Sequence, residues 1–218
     1  MKTLIKAIAI ASLASTAAVA QAEVTGSLGI SSSYMFRGIE LNDGMTTSAS
    51  LGFEMAGISV GVFLTDADDE DFTETDIVLG YSANVMGTDV RLSYTDYAYD
   101  FGSGNTFDDE TGQTEFAVGI TASGLSIDFI SGEDDGQLAP GETDYDVLTL
   151  GYTVSNVDIT LGAVDADSGE EYNYYEISTG TELFGLDATV MVTNTFSEEN
   201  VEESGATLVI GVSKSLNL

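Results

Sequence analysis

The chain has 218 residues, of which 37 are acidic and five are basic, and it contains no histidine and no cysteine. Its formal net charge of −32 repels phosphate backbones, so we expect no nucleic-acid partner. The missing residue types remove the commonest general base, thiolate nucleophiles and disulfides, so we predict no enzyme activity and assign no cofactor.

The first 22 residues have the layout of a secretory signal peptide. Lys2 and Lys6 precede an apolar run, and Ala20-Gln21-Ala22 forms a small-x-small cleavage site. An uncleaved membrane anchor is the alternative, but the apolar run is short for a spanning helix. We therefore predict a signal peptide over 1–22 and one mature domain over 23–218. The mature domain keeps three basic residues against 37 acids, a formal charge of −34: Arg37, Arg91 and Lys214.

The stretch 24–37 shows the alternation of a β-strand with one apolar and one polar face. Its apolar face carries Val24, Leu28, Ile30, Tyr34 and Phe36. The same alternation recurs about a dozen times in segments of roughly 8–12 residues, the length that a tilted strand needs to cross a bilayer. No later stretch approaches the roughly 20 apolar residues of a spanning helix, so any membrane crossing must use strands.

Twelve strands are predicted, near 24–37, 46–56, 57–65, 75–86, 89–99, 113–123, 125–132, 144–154, 157–164, 172–183, 186–196 and 204–218. Short turns fall at 56–57, 87–88, 123–124, 155–156 and 184–185, and long loops at 38–45, 66–74, 100–112, 133–143, 165–171 and 197–203. Short turns on one rim and long loops on the other are typical of an up-and-down outer-membrane barrel. We therefore predict an all-β fold, a twelve-stranded antiparallel transmembrane barrel.

The acids inside the predicted strands test this assignment, because the faces were chosen from the apolar residues alone. All eight lie on the polar face: Glu54, Asp89, Glu115, Asp128, Asp158, Glu176, Glu182 and Asp187. A charge on the outer face would meet hydrocarbon at a cost of about 2–4 kcal/mol for a basic residue at mid-depth and less for an acid. Asp96 and Asp146 have outward parity, and we place them above the membrane.

Aromatic residues at outward positions next to the long loops predict a girdle at the membrane interface. They are Tyr34, Phe36, Tyr94, Phe129, Tyr175 and Phe196. Lys214 also has outward parity, near the opposite interface, where its ammonium group can snorkel towards water. An ordinary surface lysine is the alternative.

Arg37 and Arg91 both fall on the polar face, near opposite ends of the barrel. One interpretation is a charge pair that shapes a constriction in the lumen; the other is that lumen carboxylates neutralise each arginine and hold the wall together. The residues predicted to line the pore are Arg37, Glu54, Arg91, Glu115, Asp128, Asp158, Glu176 and Asp187.

The acidic run Asp66-Ala-Asp68-Asp69-Glu70-Asp71 suggests an oxygen-ligand loop for calcium. It lacks the glycine at position six and the glutamate at position twelve that the helix-loop-helix site requires, so a solvated acidic loop is favoured and no metal site is assigned. Acidic clusters at 108–110, 133–135, 165–171 and 198–203 could still bind divalent ions weakly and bridge them to lipopolysaccharide phosphates.

The stretch Tyr34-Met35-Phe36-Arg37-Gly38-Ile39-Glu40-Leu41-Asn42-Asp43-Gly44 resembles the first-strand signature of the TorF family of porins. The match continues more loosely through Leu51-Gly52-Phe53 and Gly57-Ile58-Ser59-Val60-Gly61. The resemblance implies an outer-membrane barrel with a channel function over most of the mature chain. It also implies insertion by the barrel-assembly machinery.

These observations predict a passive diffusion channel in the outer membrane of a Gram-negative bacterium. Its acidic lumen and rim would favour cations and small hydrophilic solutes. Outer-membrane lipid and lipopolysaccharide are the expected surroundings. Two alternatives are a closed structural or adhesive barrel with acidic surface loops, and a soluble periplasmic β-protein.

Overall fold

The computed structural model describes residues 23–67, 72–101, 112–134, 143–167, 171–196 and 205–217. The segment 1–22, predicted to be a signal peptide, lies outside the described residues. Within the described part of the chain, no helix is long and apolar enough to cross a membrane.

Twelve antiparallel strands close into a barrel, as predicted. They are β1 (Glu23–Ser31), β4 (Thr46–Met55), β5 (Ile58–Ala67), β6 (Phe72–Val85), β7 (Thr88–Phe101), β8 (Gly112–Ala122), β9 (Leu125–Asp134), β10 (Thr143–Val154), β11 (Val157–Ala166), β12 (Glu171–Leu183), β13 (Leu186–Phe196) and β14 (Thr207–Asn217). Neighbours in sequence are neighbours in space, and β1 pairs with both β4 and β14. Closure leaves no unpaired sheet edge.

The outer surface is an apolar belt, because large hydrophobic side chains at alternate positions of every barrel strand point away from the lumen. Representative exposed residues are Leu51, Val60, Leu79, Phe116, Ile127, Leu150, Leu161, Val190 and Ile210. An exposed apolar surface of this extent is unusual for a protein in water and is the surface that a bilayer requires. The predicted parity of the strands is therefore confirmed.

Two-residue turns join the strands at one end of the barrel, here called the short-turn rim. Four of them combine a residue with φ of 53–56° and a glycine with φ of 77–87°. Positive φ at both positions is the type I′ geometry, whose twist matches that of the flanking strands. One turn was misplaced by a residue: Met86-Gly87 makes it, not Gly87-Thr88, since Val85 pairs with Thr88.

The first predicted strand, 24–37, is wrong beyond residue 31. At that point Ser32 exchanges hydrogen bonds with Ile210 of β14, its amide donating to the Ile210 carbonyl and its hydroxyl accepting from the Ile210 amide. The chain then leaves the wall and forms a separate hairpin from β2 (Tyr34–Phe36) and β3 (Ile39–Asn42). The remaining strand ends lie within about three residues of the predicted ones.

The predicted long loop 38–45 is also wrong, because it contains the second half of the hairpin turn and β3. Arg37 has φ of 50° and Gly38 has φ of 81°, the same type I′ geometry as the turns of the short-turn rim. The chain was expected to continue the wall to residue 37 and then to form a loop. It instead reverses direction after the three residues of β2.

Candidate functional site in the barrel lumen

Residues 34–42, which we call the lumen hairpin, extend across the interior of the barrel. The hairpin begins between β1 and β4, and its tip contacts side chains on β8, β10 and β12. In the circular strand order, β8 and β10 lie opposite the β1–β4 seam. The hairpin thus spans the lumen at the level of the long-loop ends of the strands, a level we call the upper lumen.

The near side of the hairpin is held by aromatic packing and one hydrogen bond. The Tyr34 hydroxyl donates to the Glu74 carboxylate of β6 at 2.8 Å. Tyr34 packs with Tyr97 and Tyr99 of β7, and the Phe36 ring meets the Tyr97 ring edge-on at 6.1 Å. Burial, and then the charges of Glu74 and Asp76, raise the pKa of Tyr34 well above its usual value of 10.0, so the hydroxyl stays a neutral donor.

These contacts overturn part of the predicted aromatic girdle. Tyr34 and Phe36 lie in the lumen rather than on the outer surface. The prediction that both side chains point outward assumed that β1 continues through residue 36, but β1 ends at Ser31. Tyr94, Phe129 and Phe196 are exposed on the outer face as expected.

The tip of the hairpin is fixed by an ion pair with the far wall. A guanidinium nitrogen of Arg37 lies 2.6 Å from Oε1 of Glu115 on β8, and the two side chains are only 10% and 6% exposed. Glu115 also accepts hydrogen bonds from the hydroxyls of Tyr97 at 3.0 Å and Tyr145 at 2.6 Å. The Arg37 guanidinium in turn lies 4.6 Å from the centre of the Phe36 ring.

The surroundings keep Arg37 charged. Burial by itself would lower the pKa of the guanidinium, since it disfavours the charged form. The Glu115 carboxylate and the polar rings of Tyr97, Tyr145 and Tyr174 outweigh burial, and the pKa of Arg37 lies above its ordinary value. The guanidinium that faces Glu115 is therefore charged.

Gly38 lets the hairpin approach the wall closely. A Cβ atom at this position would lie 2.7 Å from Cβ of Tyr174 and 3.0 Å from Cγ2 of Thr195. The Gly38 amide also lies near the Glu176 carboxylate of β12. Both the positive φ and the close contact require glycine here.

Two lumen tyrosines make room for the hairpin by lying flat on the wall. Tyr145 pairs with Gly132 across β9 and β10, and Tyr174 pairs with Gly162 across β11 and β12. A Cβ on either glycine would collide with the ring of its partner. The rings therefore rest on the bare backbone of the neighbouring strand instead of pointing to the barrel axis.

Two carboxyl groups on β6 are fully buried beneath the hairpin. Glu74 and Asp76 point inward from alternate positions, and both are 0% exposed. Within the described residues, Oε2 of Glu74 and both carboxylate oxygens of Asp76 accept no hydrogen bond from an amide or hydroxyl. Glu115 and Asp96 add negative charge near Asp76. Covering these groups is therefore unfavourable while they are ionised.

The half of the lumen towards the short-turn rim, here the lower lumen, is more open. Arg91 of β7 lies 2.6 Å from Asp128 of β9, and these side chains are 21% and 25% exposed. The pair passes over Gly119 of β8, where a Cβ would collide with the Asp128 carboxylate. It therefore lies along the wall and joins β7 to β9 across β8.

The structure thus separates the eight predicted pore residues into two groups. Arg37, Glu115 and Glu176 meet at the hairpin in the upper lumen. The others line the lower lumen without forming one cluster: Glu54, Arg91, Asp128, Asp158 and Asp187. In this group Asp158 accepts a hydrogen bond from Thr153 at 2.6 Å, and Asp187 accepts one from Ser215 at 3.1 Å.

Several functional residues escaped the sequence prediction, including Glu74, Asp76, Tyr97, Tyr145 and Tyr174. A usable signal existed for Tyr145 and Tyr174, because each of these two tyrosines faces a glycine on the neighbouring strand. The dipeptide Arg37-Gly38 was a second signal, since three other residue-glycine pairs between alternating segments were correctly recognised as turns: Ala56-Gly57, Ser123-Gly124 and Phe184-Gly185.

The remaining expectations concern the exterior. Lys214 is exposed, and its ammonium group donates to the Gly185 carbonyl at the short-turn rim.

In the described part of the chain, no group of three or more acids is arranged to hold a metal ion. The acidic run that began at Asp66 falls partly outside the described residues, over 68–71, as do most of the other acidic loop clusters.

Comparison with known proteins relates this fold to solved porins. No family model matches the chain, and no curated protein sequence matches it. The structure of a KdgM porin superposes with a TM-score of 0.54 at 9% identity, covering 89% of this chain and 99% of the porin. A KdgM porin in complex with disordered oligogalacturonate gives 0.53, also at 9% identity and with the same coverage of both chains. The barrel is therefore similar in fold to the KdgM porin, and membership of the TorF family stays a prediction.

Proposed function

We propose that this protein is a passive diffusion channel of a bacterial outer membrane and that it favours cations. The observation that carries the proposal is the contrast between the two faces of the closed wall. The outer face is an apolar belt, whereas the lower lumen presents partly exposed carboxylates. The similarity to the KdgM fold supports a porin-type barrel.

The charge of the lower lumen supports cation preference. Among the described residues it holds acids on several strands and one arginine, and Asp128 already neutralises that arginine. The remaining carboxylates raise the local concentration of cations and lower that of anions. Rim charges are screened over roughly 8 Å at physiological salt, so the wall acids dominate selectivity.

This electrostatic argument separates the chain from its structural neighbour. The KdgM porin was solved with oligogalacturonate, which is a polyanion. A lumen lined by carboxylates repels such a molecule. We therefore propose small cations and small hydrophilic solutes as the permeating species.

The test is the reversal potential of the purified barrel in a planar bilayer under a gradient of potassium chloride. We expect the reversal potential to approach the equilibrium potential of potassium. A reversal potential closer to the equilibrium potential of chloride would contradict cation preference while leaving the channel function intact.

A closed structural barrel is the second candidate, and the packed upper lumen favours it. The side chains at the level of the hairpin, including Tyr97, Gln113 and Thr193, are almost completely buried. A barrel that inserts into bilayers yet never conducts, at any voltage and in any hairpin variant, would establish this second function in place of the first.

A further inference from the structure

The described side chains around the hairpin in the upper lumen are closely packed. Side chains that surround it on several strands are at most 9% exposed, among them Glu74, Tyr97, Glu115, Tyr145 and Tyr174. We infer that the lumen hairpin is a gate, that the structure shows its closed state, and that the channel conducts when the hairpin leaves the far wall. This inference rests on the proposed channel function.

The hairpin can leave without opening the barrel. Its backbone ladder joins β2 only to β3, whereas the wall beneath it is sealed by the pairing of β1 with β4 and β14. The hairpin is held to the wall by aromatic packing, by side-chain hydrogen bonds and by the ion pair of Arg37. Undocking therefore breaks a small set of contacts and leaves the twelve-stranded ladder intact.

Arg37 and Glu115 form the latch of this gate. They join the hairpin tip to the wall opposite its base, and both are almost fully buried. Removing one partner leaves the other charge buried and uncompensated, which strongly disfavours the docked state. Glu115 is thus a positioning residue for the hairpin as well as a lumen acid.

Glu74 and Asp76 act in the opposite direction. With the hairpin docked, both carboxyl groups are 0% exposed; Tyr34 of the hairpin bonds Glu74, and Asp76 receives no amide or hydroxyl donor from the described residues. Undocking returns these groups to water, where their charge is stabilised. The gate is therefore balanced between an ion pair that closes it and a buried acidic pair that opens it.

This balance gives two acid-to-amide substitutions opposite effects. Glu115→Gln breaks the latch and raises the probability that the channel is open. Asp76→Asn removes a carboxyl group whose ionisation in water favours the undocked state, and it lowers that probability. A lumen without a gate would respond to both in the same direction, because each removes one negative charge from the same passage.

Trypsin reports docking directly, since Arg37 lies in the hairpin while the other two basic residues after position 22, Arg91 and Lys214, lie in the wall. The rate of cleavage after Arg37 follows the population of the undocked state. We expect Glu115→Gln to speed this cleavage roughly tenfold or more, and Asp76→Asn to slow it by roughly threefold. Asp146→Asn, an outward acid at the same level, is the charge-matched control and leaves the rate unchanged. Equal shifts in both lumen variants would overturn the balance.

A disulfide lock tests whether undocking is required for conduction. A Cβ at position 38 would lie 2.7 Å from Cβ of Tyr174, so Gly38→Cys with Tyr174→Cys can form a disulfide after a shift of about 1 Å. The chain has no native cysteine to compete. We expect single-channel recordings to show no conductance in the oxidised double variant and conductance after reduction, with each single-cysteine variant insensitive to the reductant.

The outcomes separate the gate from the channel itself. Conductance that persists in the oxidised double variant would overturn the gate and leave the channel. A barrel that remains silent after reduction, and also as Glu115→Gln, would overturn both.

Discussion

The two ion pairs of the lumen have the same length but different surroundings. Arg37–Glu115 and Arg91–Asp128 both measure 2.6 Å. The first joins the hairpin to the wall among buried tyrosines, whereas the second lies along the wall with about a quarter of each side chain in contact with solvent. The upper pair therefore holds a protein segment in place, and the lower pair organises the surface of a water-filled space.

The same contrast applies to the whole lumen. Above, aromatic rings and buried acids pack around the hairpin like the core of a soluble domain. Below, small hydroxyls, glycines and partly exposed carboxylates leave room for water. A barrel of twelve strands can thus be filled at one level and less densely packed at another, and our proposals assign access to the first level and selectivity to the second.

The largest predicted effect is that of Gly38→Val in the upper lumen. The new side chain would collide with Tyr174 and Thr195, which costs about 2 kcal/mol of docking free energy, or roughly a 30-fold faster cleavage after Arg37 by trypsin. Gly87→Val is the matched control, because that glycine has φ of 87° and no atom within 4 Å of an added Cβ. Equal cleavage rates in the two variants would show that docking of the hairpin does not depend on the close approach of Gly38 to the wall.

A smaller effect should distinguish the two levels through their glycines. Gly132→Ala pushes against the Tyr145 ring, which is fixed by its hydrogen bond to Glu115, so we expect a loss of about 2 kcal/mol in unfolding free energy. Gly119→Ala pushes against the Asp128 carboxylate, which can turn into water, so the loss should stay below about 1 kcal/mol. Urea titrations of the two variants in detergent micelles measure the difference, and the reverse order would refute the contrast between a packed and an open level.

The smallest effect is expected at the open level. Asp158→Asn removes one carboxylate of the lower lumen and should reduce the preference for potassium over chloride by about twofold, since a unit charge a few ångströms away in water contributes about 1 kcal/mol or less. The reversal potential measures the ratio. Asp146→Asn, which lies on the outer face, should leave it unchanged; a comparable shift in both variants would assign selectivity to the general surface charge.

Sequence pattern was sufficient for the wall and insufficient for the lumen. Alternation fixes which face of each strand meets hydrocarbon, and residues such as Leu79 and Ile127 obey that rule without reference to any partner. Tyr34 and Phe36 obeyed it too, yet they lie inside, because two residues of non-strand backbone at Ser32 and Ser33 reset the parity. Alternation cannot detect such a reset unless the break is recognised first.

The candidate site was predicted residue by residue but not as an arrangement. Arg37 and Glu115 were both assigned to the lumen, where they are found. Their contact could not be derived, because it joins a turn at the start of the chain to a strand about 80 residues later across an enclosed space. The buried pair Glu74 and Asp76 was missed for a related reason: their burial depends on how the interior of the barrel is filled, which the alternation of a single strand does not predict.

The bonds between Ser32 and Ile210 link the base of the hairpin to the last strand of the chain. That strand is also the one that completes the cylinder by joining β1. The pivot of the hairpin therefore exists only after the two ends of the polypeptide have met. An assembly intermediate that lacks this final seam also lacks the bonds at the base of the segment, so we expect occlusion of the interior to be coupled to completion of the wall.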